Sequence, residues 1–435
     1  MKYTELAFDT IDYFDNIITK YRYNRIEEIE HDLYLSDTKT QNANIYIHIP
    51  FCTESCTFCA FKDNLESPKK VNLNIFCNNI LKEIQMLIKM AKIEKHNISS
   101  IYIGGGSPNL LDEHIETLLS GLKKLDEVSP DTEISVELSI NSVSDLFLNK
   151  LIKHKIQRVS FGVQSFDECV RLAMGLKHLS GESIERLLGI ASSIPVINAD
   201  LITCFPGQSP DSSLKDIDKL LDYEQINSIS SYYFNLLSQK KYFQEMIRSN
   251  NATNFFNFLP MKEQIRARYE SIKKIYHRGW VRSGTCTYTT IEARKTFSSG
   301  NECFGVWSYN DVLIGVGPSA VSYLRGIRLR NVRNVFSWGD HIENNIIPID
   351  IEQSFFIPNP DLEFWNFPLS RNGINKNYIN EMIMKNNISF EQIQTFNNLI
   401  NDGYIYENNN TYFLTIMGEV FMGNIIEDLR KKSSS

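Results

Sequence analysis

The sequence predicts an α/β fold. Six strand–helix units are expected to build a parallel sheet with helices outside it, as an open or partial (β/α)6 barrel. A winged-helix-like α+β unit is expected at the C-terminal end. Two observations carry this. From Ile45 onward short β-rich runs alternate with longer helical patterns, the signature of a parallel sheet covered by helices. After about Glu363, helical patterns flank two short strand-like runs separated by an asparagine turn.

Residues 1–44 are mixed and polar-aromatic, with Tyr13, Phe14, Tyr21 and Tyr23 among charged residues, and read as an N-terminal arm with some helix. Strand runs then fall at residues 45–49, 99–103, 133–138, 157–161, 196–202 and 228–234. Helical patterns fall between them at residues 71–91, 113–125, 143–153, 183–191 and 214–223. These units define a core over residues 45–240. Past residue 240 the rhythm breaks into a helical, aromatic stretch over 240–277, then Trp307-Ser-Tyr-Asn-Asp311 and the apolar, glycine-bearing 312–322. Residues 241–362 are therefore expected to extend the barrel and face the substrate, and residues 363–435 to form the winged-helix-like unit. Within that unit, Gly403–Tyr406 and Tyr412–Leu414 are the two strand runs and Asn408-Asn-Asn410 the turn.

Right-handed crossovers bring the loops that follow parallel strands to one mouth. The chemistry-bearing residues fall at those positions. Cys52 follows the first run, Gly104-Gly105-Gly106-Ser107-Pro108 the second, Glu137 ends the third, Gln164 follows the fourth and Asp200 lies in the fifth. That convergence predicts a single site. The triglycine permits close backbone approach and positive φ, so its amides and carbonyls can face a small polar ligand. Glu137, Gln164 and Asp200 offer acceptors for an ammonium or ribose hydroxyls, or act as strand-end caps and ion-pair partners. Phe58 can stack on an adenine or shield the cysteines from water.

Cys52, Cys56 and Cys59 are spaced Cys-x3-Cys-x2-Cys directly after the first strand run. Three thiolates can hold three irons of a four-iron cluster and leave the fourth without a protein ligand, whereas four normally close such a site. A structural zinc site needs a fourth ligand; His48 is the nearby candidate, and its spacing to Cys52 is not a standard zinc pattern. Three clustered cysteines cannot all pair as disulfides, and no secretory signal is read at the N-terminus. An iron–sulfur cluster is the expectation. Cys77, Cys169, Cys204, Cys286 and Cys303 are scattered and are expected mostly as buried small hydrophobes.

The 435 residues are 42% hydrophobic and 22% charged, ample for a core. A net charge of −7 argues against non-specific nucleic-acid binding, and no apolar run reaches the roughly eighteen residues a membrane span needs. A reduced cytoplasm is the expected compartment, with anaerobic handling for an oxygen-labile cluster.

The cysteine motif after Tyr46-Ile-His-Ile-Pro-Phe51, the Gly104–Pro108 motif, Ser160-Phe-Gly-Val-Gln-Ser-Phe166 and Asp200-Leu-Ile-Thr-Cys-Phe-Pro-Gly-Gln208 together resemble the radical S-adenosylmethionine superfamily. Within it, the chain resembles the oxygen-independent coproporphyrinogen III oxidase-like branch, from about Tyr46 to its C-terminus. The resemblance implies a partial radical-SAM barrel and a [4Fe–4S] cluster on Cys52, Cys56 and Cys59 that cleaves S-adenosylmethionine to methionine and a 5′-deoxyadenosyl radical. It implies S-adenosylmethionine contacts at Tyr46, Phe58, Gly106, Ser107, Glu137, Gln164 and Asp200, with Gly105 in the same glycine motif. An electron donor such as flavodoxin or ferredoxin follows from the same chemistry. Residues 315–322 fall where the branch closes over a second S-adenosylmethionine.

Two departures from the branch bear on activity. Its frequent arginine about a dozen residues past the glutamine is replaced by Leu176, followed by Lys177, which lacks the bidentate fork of arginine. Phe61 stands where true coproporphyrinogen oxidases carry a further cysteine. The leading expectation is therefore one-carbon transfer to an sp² carbon with a second S-adenosylmethionine, as in branch members that C-methylate, cyclopropanate or degrade haem. Tetrapyrrole oxidation and haem chaperoning are the alternatives; chaperone members usually begin almost at the first strand, whereas 44 residues precede Ile45 here. The substrate is expected to be a small molecule, a tetrapyrrole or a natural-product intermediate.

Overall fold

A computed structural model describes residues 43–54, 56, 58–59, 65–234, 260–296, 312–324, 327–356, 365, 369 and 373–430. The N-terminal arm before Ala43, Phe61, residues 307–311, Cys303 and the 431–435 tail lie outside the described residues.

Strands β1 (Ala43–Ile49), β2 (Ile98–Gly105), β3 (Val128–Leu138), β4 (Arg158–Gln164), β5 (Val196–Thr203) and β6 (Ser228–Tyr233) lie side by side, parallel and in sequence order. Helices α1 (Leu73–Ala91), α2 (His114–Leu122), α3 (Asp145–Lys153), α4 (Glu168–Ala173), α5 (Gly181–Ala191) and α6 (Pro210–Leu221) connect them. Local sequence starts these helices: Asn72, Ser144, Ser180 and Ser209 each accept a backbone N–H in the first turn of α1, α3, α5 and α6. All six expected strands are present. The short α4, begun by the Asp167 carboxylate, is an addition to the expected pattern.

Successive side chains of a strand point to opposite faces, and here the two faces differ in chemistry. Ile45, Ile47, Ile101, Ile103, Val136, Val159, Phe161, Ala199 and Leu201 form the outer face and are buried in the main core with residues of the helices. The inner face carries Tyr46, His48, Tyr102, Glu137, Arg158, Ser160, Asn198, Asp200 and Ser230, which cross-strand register aligns in rows. A sheet that is apolar outside and polar inside is what a partial barrel with a reactive interior requires.

The sheet is wider than the six expected strands. After α7 (Met261–His277), strands β7 (Val281–Arg282) and β8 (Thr287–Thr289) add antiparallel beyond β6, followed by α8 (Ile291–Thr296). On the other side β9 (Val312–Val316) pairs parallel with β1, and β10 (Val321–Leu324) and β11 (Ile327–Arg330) continue antiparallel. Helix α9 (Val335–Glu343) follows, and β12 (Phe355–Phe356) completes a twelve-stranded sheet. Strand β1, which leads into the cysteine loop, is therefore interior rather than terminal.

The C-terminal part holds β13 (Ile374–Asn375), α10 (Lys376–Met384), α11 (Phe390–Asn401), β14 (Ile405–Asn408), β15 (Thr411–Leu414), α12 (Ile416–Val420) and α13 (Met422–Arg430). Its three strands form an antiparallel sheet, and Asn409 and Asn410 in the hairpin turn both have positive φ, as a tight twisted hairpin demands. It is tied to the barrel at Glu419. That buried carboxylate accepts hydrogen bonds from Tyr276 Oη at 2.5 Å and Tyr288 Oη at 2.7 Å, and lies 3.8 Å from Arg282.

Candidate functional site

The cysteine loop leaves β1 at Ile49 and is anchored by Phe51, which is fully buried against the Phe76 ring at 5.0 Å. Cys52 Sγ lies 3.4 Å from Ser107 Oγ and accepts the Glu54 N–H at 3.4 Å. Cys56 Sγ lies 3.8 Å from one Glu54 oxygen, while the other accepts Ser139 Oγ and Asn141 Nδ2, each at 3.1 Å. Glu54 was not anticipated from the sequence, although its place between Cys52 and Cys56 was a usable signal. Burial, Glu54 and the neighbouring Cys59 and Cys52 push the Cys56 thiol up to about 12. Cys52 and Cys59 lie near enough to disfavour the Cys56 thiolate, a penalty that a multivalent cationic centre reverses. Among the described residues, no three His, Cys, Asp or Glu side chains form a set able to hold a single metal ion. Three thiol donors on one loop are chemistry that suits an iron–sulfur cluster, with one thiolate to each of three irons. His48 Nδ1 meets Tyr46 Oη at 2.9 Å, and burial, with the Arg330 charge, lowers its pKa to about 4, keeping the ring neutral.

The triglycine packs directly under this loop. Gly106 N–H donates to Ile49 O at 2.8 Å and Ser107 N–H to Phe51 O at 2.6 Å. A Cβ on Gly106 would fall 2.3 Å from Phe51 O, and Gly105, at φ +103°, would place one 2.4 Å from His48 Nδ1. No other residue fits. Glu137 braces the same turn, accepting Gly105 N–H at 2.9 Å and Tyr102 Oη at 2.6 Å. Burial raises its pKa.

Asp200 accepts Asn198 Nδ2 at 2.7 Å and Ser160 Oγ at 3.2 Å; burial, reinforced by Glu137, pushes it up to about 6 while Arg158 opposes the rise. Gln164 has a positive φ of 65°, and its Oε1 is buried with no hydrogen-bond partner. A strained backbone that presents an unsatisfied acceptor is the kind of feature found at ligand sites. Phe58 packs on Phe205 at 5.2 Å in an apolar cluster with Val170, Met174 and Leu176.

Leu176 thus belongs to an apolar wall, and Lys177 is exposed. The buried arginine nearby is Arg171, which sequence reasoning missed. Its guanidinium donates to the carbonyls of Val163 at 2.6 Å, Ser165 at 2.7 Å and Lys177 at 2.8 Å, locking the loop after Gln164. Glu83 on α1 was also missed. It is fully buried and accepts Gly317 N–H at 2.8 Å, Trp338 Nε1 at 2.9 Å and Asn331 Nδ2 at 2.6 Å. Gly317 (φ +94°) sits so close to β1 that a Cβ would lie 2.5 Å from His48 O. The 315–322 turn is thereby fixed beside the cysteine loop. Of the remaining cysteines, Cys77 and Cys204 are buried, Cys286 half-buried and Cys169 exposed.

Residues 46–221 match the family model of the radical SAM superfamily. Heme chaperone HemW of Lactococcus lactis subsp. lactis is 27% identical over 291 residues, covering 66% of this chain and 71% of that protein. HemW of Buchnera aphidicola subsp. Acyrthosiphon pisum is 22% identical over 396 residues, covering 88% and 97%. The solved structure of coproporphyrinogen III oxidase (HemN) from Escherichia coli, a radical SAM enzyme, superposes with a TM-score of 0.71 at 17% identity, covering 96% of this chain and 98% of that one. Residues 46–221 therefore carry a match to the radical SAM superfamily, and the chain as a whole shares the fold of HemN.

Proposed function

We propose that this chain is a radical S-adenosylmethionine enzyme that transfers a one-carbon unit to an sp² carbon with the help of a second S-adenosylmethionine. In this reading Cys52, Cys56 and Cys59 hold a [4Fe–4S] cluster, which when bound supplies an electron and an iron corner open to an amine and a carboxylate. Ser107 and the Gly105 and Gly106 backbone line the near side of the ligand. Tyr46, Glu137, Gln164 and Asp200 offer its polar contacts, with the Gln164 oxygen already desolvated and unpartnered. The Phe58–Phe205–Leu176 wall excludes water. An electron donor such as flavodoxin or ferredoxin feeds the site in a reduced cytoplasm.

The observation that carries the two-ligand reading is the 315–322 turn, pinned by Glu83 and pressed against His48 O beside the cysteine loop. The turn is thereby held in the wall beside the cysteine loop, at the position where the branch it resembles closes over a second S-adenosylmethionine. Reconstituted, reduced protein is to be incubated with candidate substrates and methyl-deuterated S-adenosylmethionine. Deuterium is expected in 5′-deoxyadenosine; its absence during turnover refutes the scheme.

A second reading, haem chaperoning, is favoured by relatives named heme chaperone, one aligned over 88% of this chain. A Soret band on haem titration, without substrate-dependent 5′-deoxyadenosine, decides for it. Tetrapyrrole oxidation is tested by anaerobic conversion of coproporphyrinogen.

A further inference from the structure

On the inner face of the sheet the acidic groups of β3 and β5 are partly balanced by Arg158 on β4, whereas the β11 flank carries only arginines. Glu137 and Asp200 lie on β3 and β5, whereas β11 carries Arg328 and Arg330, two residues apart and so on one face. Register fixes which face that is. Arg330 lies opposite Val321 and Arg328 opposite Tyr323. Tyr323 lies opposite Leu313, and the Leu313 side of β9 continues through Gly315 to Tyr46 on β1. Ile327 and Leu329 take the opposite face and are buried in the main core.

The two arginines are half-buried, and Arg330 Nε is wholly buried with no acceptor. Burial and the adjacent Arg333 and Arg328 charges disfavour the Arg330 cation, with Asp350 acting against them. Arg328 Nη1 donates to Gln353 O at 2.9 Å and Arg333 Nη2 to Gln353 Oε1 at 3.2 Å. Those bonds fix the two flanking side chains and supply no negative charge. Clustered guanidinium groups around a desolvated, unsatisfied N–H are the complement of an anion, and the planar fork of arginine suits a carboxylate.

We infer that Arg330, with Arg328 beside it, forms a carboxylate subsite for the second molecule held in the barrel. This deepens the two-ligand reading and rests on it. β11 stands three strands from β1, about 14 Å between backbones at sheet spacing, and the Arg330 charge reaches inward as far as His48 on β1. A carboxylate held by the cluster would already have its counter-charge there, which leaves Arg330 for another. The carboxylate belongs either to a second S-adenosylmethionine or to the substrate.

The test uses full-length, cluster-reconstituted protein as wild type, Arg330→Met and Arg330→Lys, with iron content and thermal melting as folding controls. Equilibrium dialysis counts S-adenosylmethionine equivalents, and Soret titration compares haem with haem dimethyl ester, which lacks its two carboxylates. Loss of a charge-assisted hydrogen-bond pair is expected to weaken binding about tenfold or more, with partial rescue by lysine. If Arg330→Met drops one of two S-adenosylmethionine equivalents, the carboxylate is that of the nucleotide. If it weakens haem and leaves the ester unchanged, the carboxylate is the substrate's. The inference is overturned if correctly folded Arg330→Met changes neither, if haem and ester weaken equally, or if wild type binds neither a second equivalent nor haem. Deuterium transfer is read separately, so the subsite and the one-carbon scheme can fail independently.

Discussion

Glu83 offers the sharpest test of how the barrel wall is held. Its carboxyl is fully buried on α1, where three N–H donors from Gly317, Trp338 and Asn331 favour the ion. Burial outweighs them and pushes the carboxyl up to about 8. In the unfolded chain a glutamate titrates near ~4.3. Between those values the folded protein keeps a proton that the unfolded chain has released. The unfolded state then binds fewer protons, so stability falls as pH rises. The benefit is complete below the unfolded value and is lost as pH climbs through about 8. The slope approaches about 1.4 kcal/mol per pH unit, which over this window amounts to roughly 5 kcal/mol as an order of magnitude. Glu83→Gln cannot ionise. Urea midpoints of the reduced apo-protein and the variant, followed by circular dichroism from pH 5 to 8.5, are expected to show wild type declining against a flatter variant. Two curves that run parallel across that range would falsify the assignment of a protonated, buried Glu83.

Three further outcomes follow from the geometry. Gly106→Ala sets a Cβ against Phe51 O, a backbone atom that cannot swing away; folded protein with sharply reduced iron uptake and S-adenosylmethionine binding is expected, and wild-type loading argues against the cradle. Cys56→Ala should abolish both the cluster's visible absorption and S-adenosylmethionine cleavage; full cleavage in this variant contradicts the assignment of the three cysteines. Glu419→Ala strips the buried Arg282 of its carboxylate and two tyrosines of their acceptor, at a cost of roughly 3 kcal/mol or more. Limited proteolysis should then release the C-terminal helices first, and an unchanged digestion pattern would show that Glu419 does not hold them.

The sequence by itself determined the parts encoded by near neighbours. Period-two runs such as Ile45-Tyr-Ile-His-Ile49 set both the strands and their two faces, serine and asparagine caps set the helix starts, and the Cys52–Cys59 spacing set the candidate metal donors. Only the tertiary structure decided what joins distant segments. The pairing of β9 with β1, the capture of Gly317 by Glu83 across 234 residues and the docking of Glu419 on Tyr288 across 131 leave no local periodicity to read. A carboxylate inside an amphipathic helix has the same composition signal whether it faces water or closes a turn. The difference is made by burial and by which N–H groups the fold delivers to it.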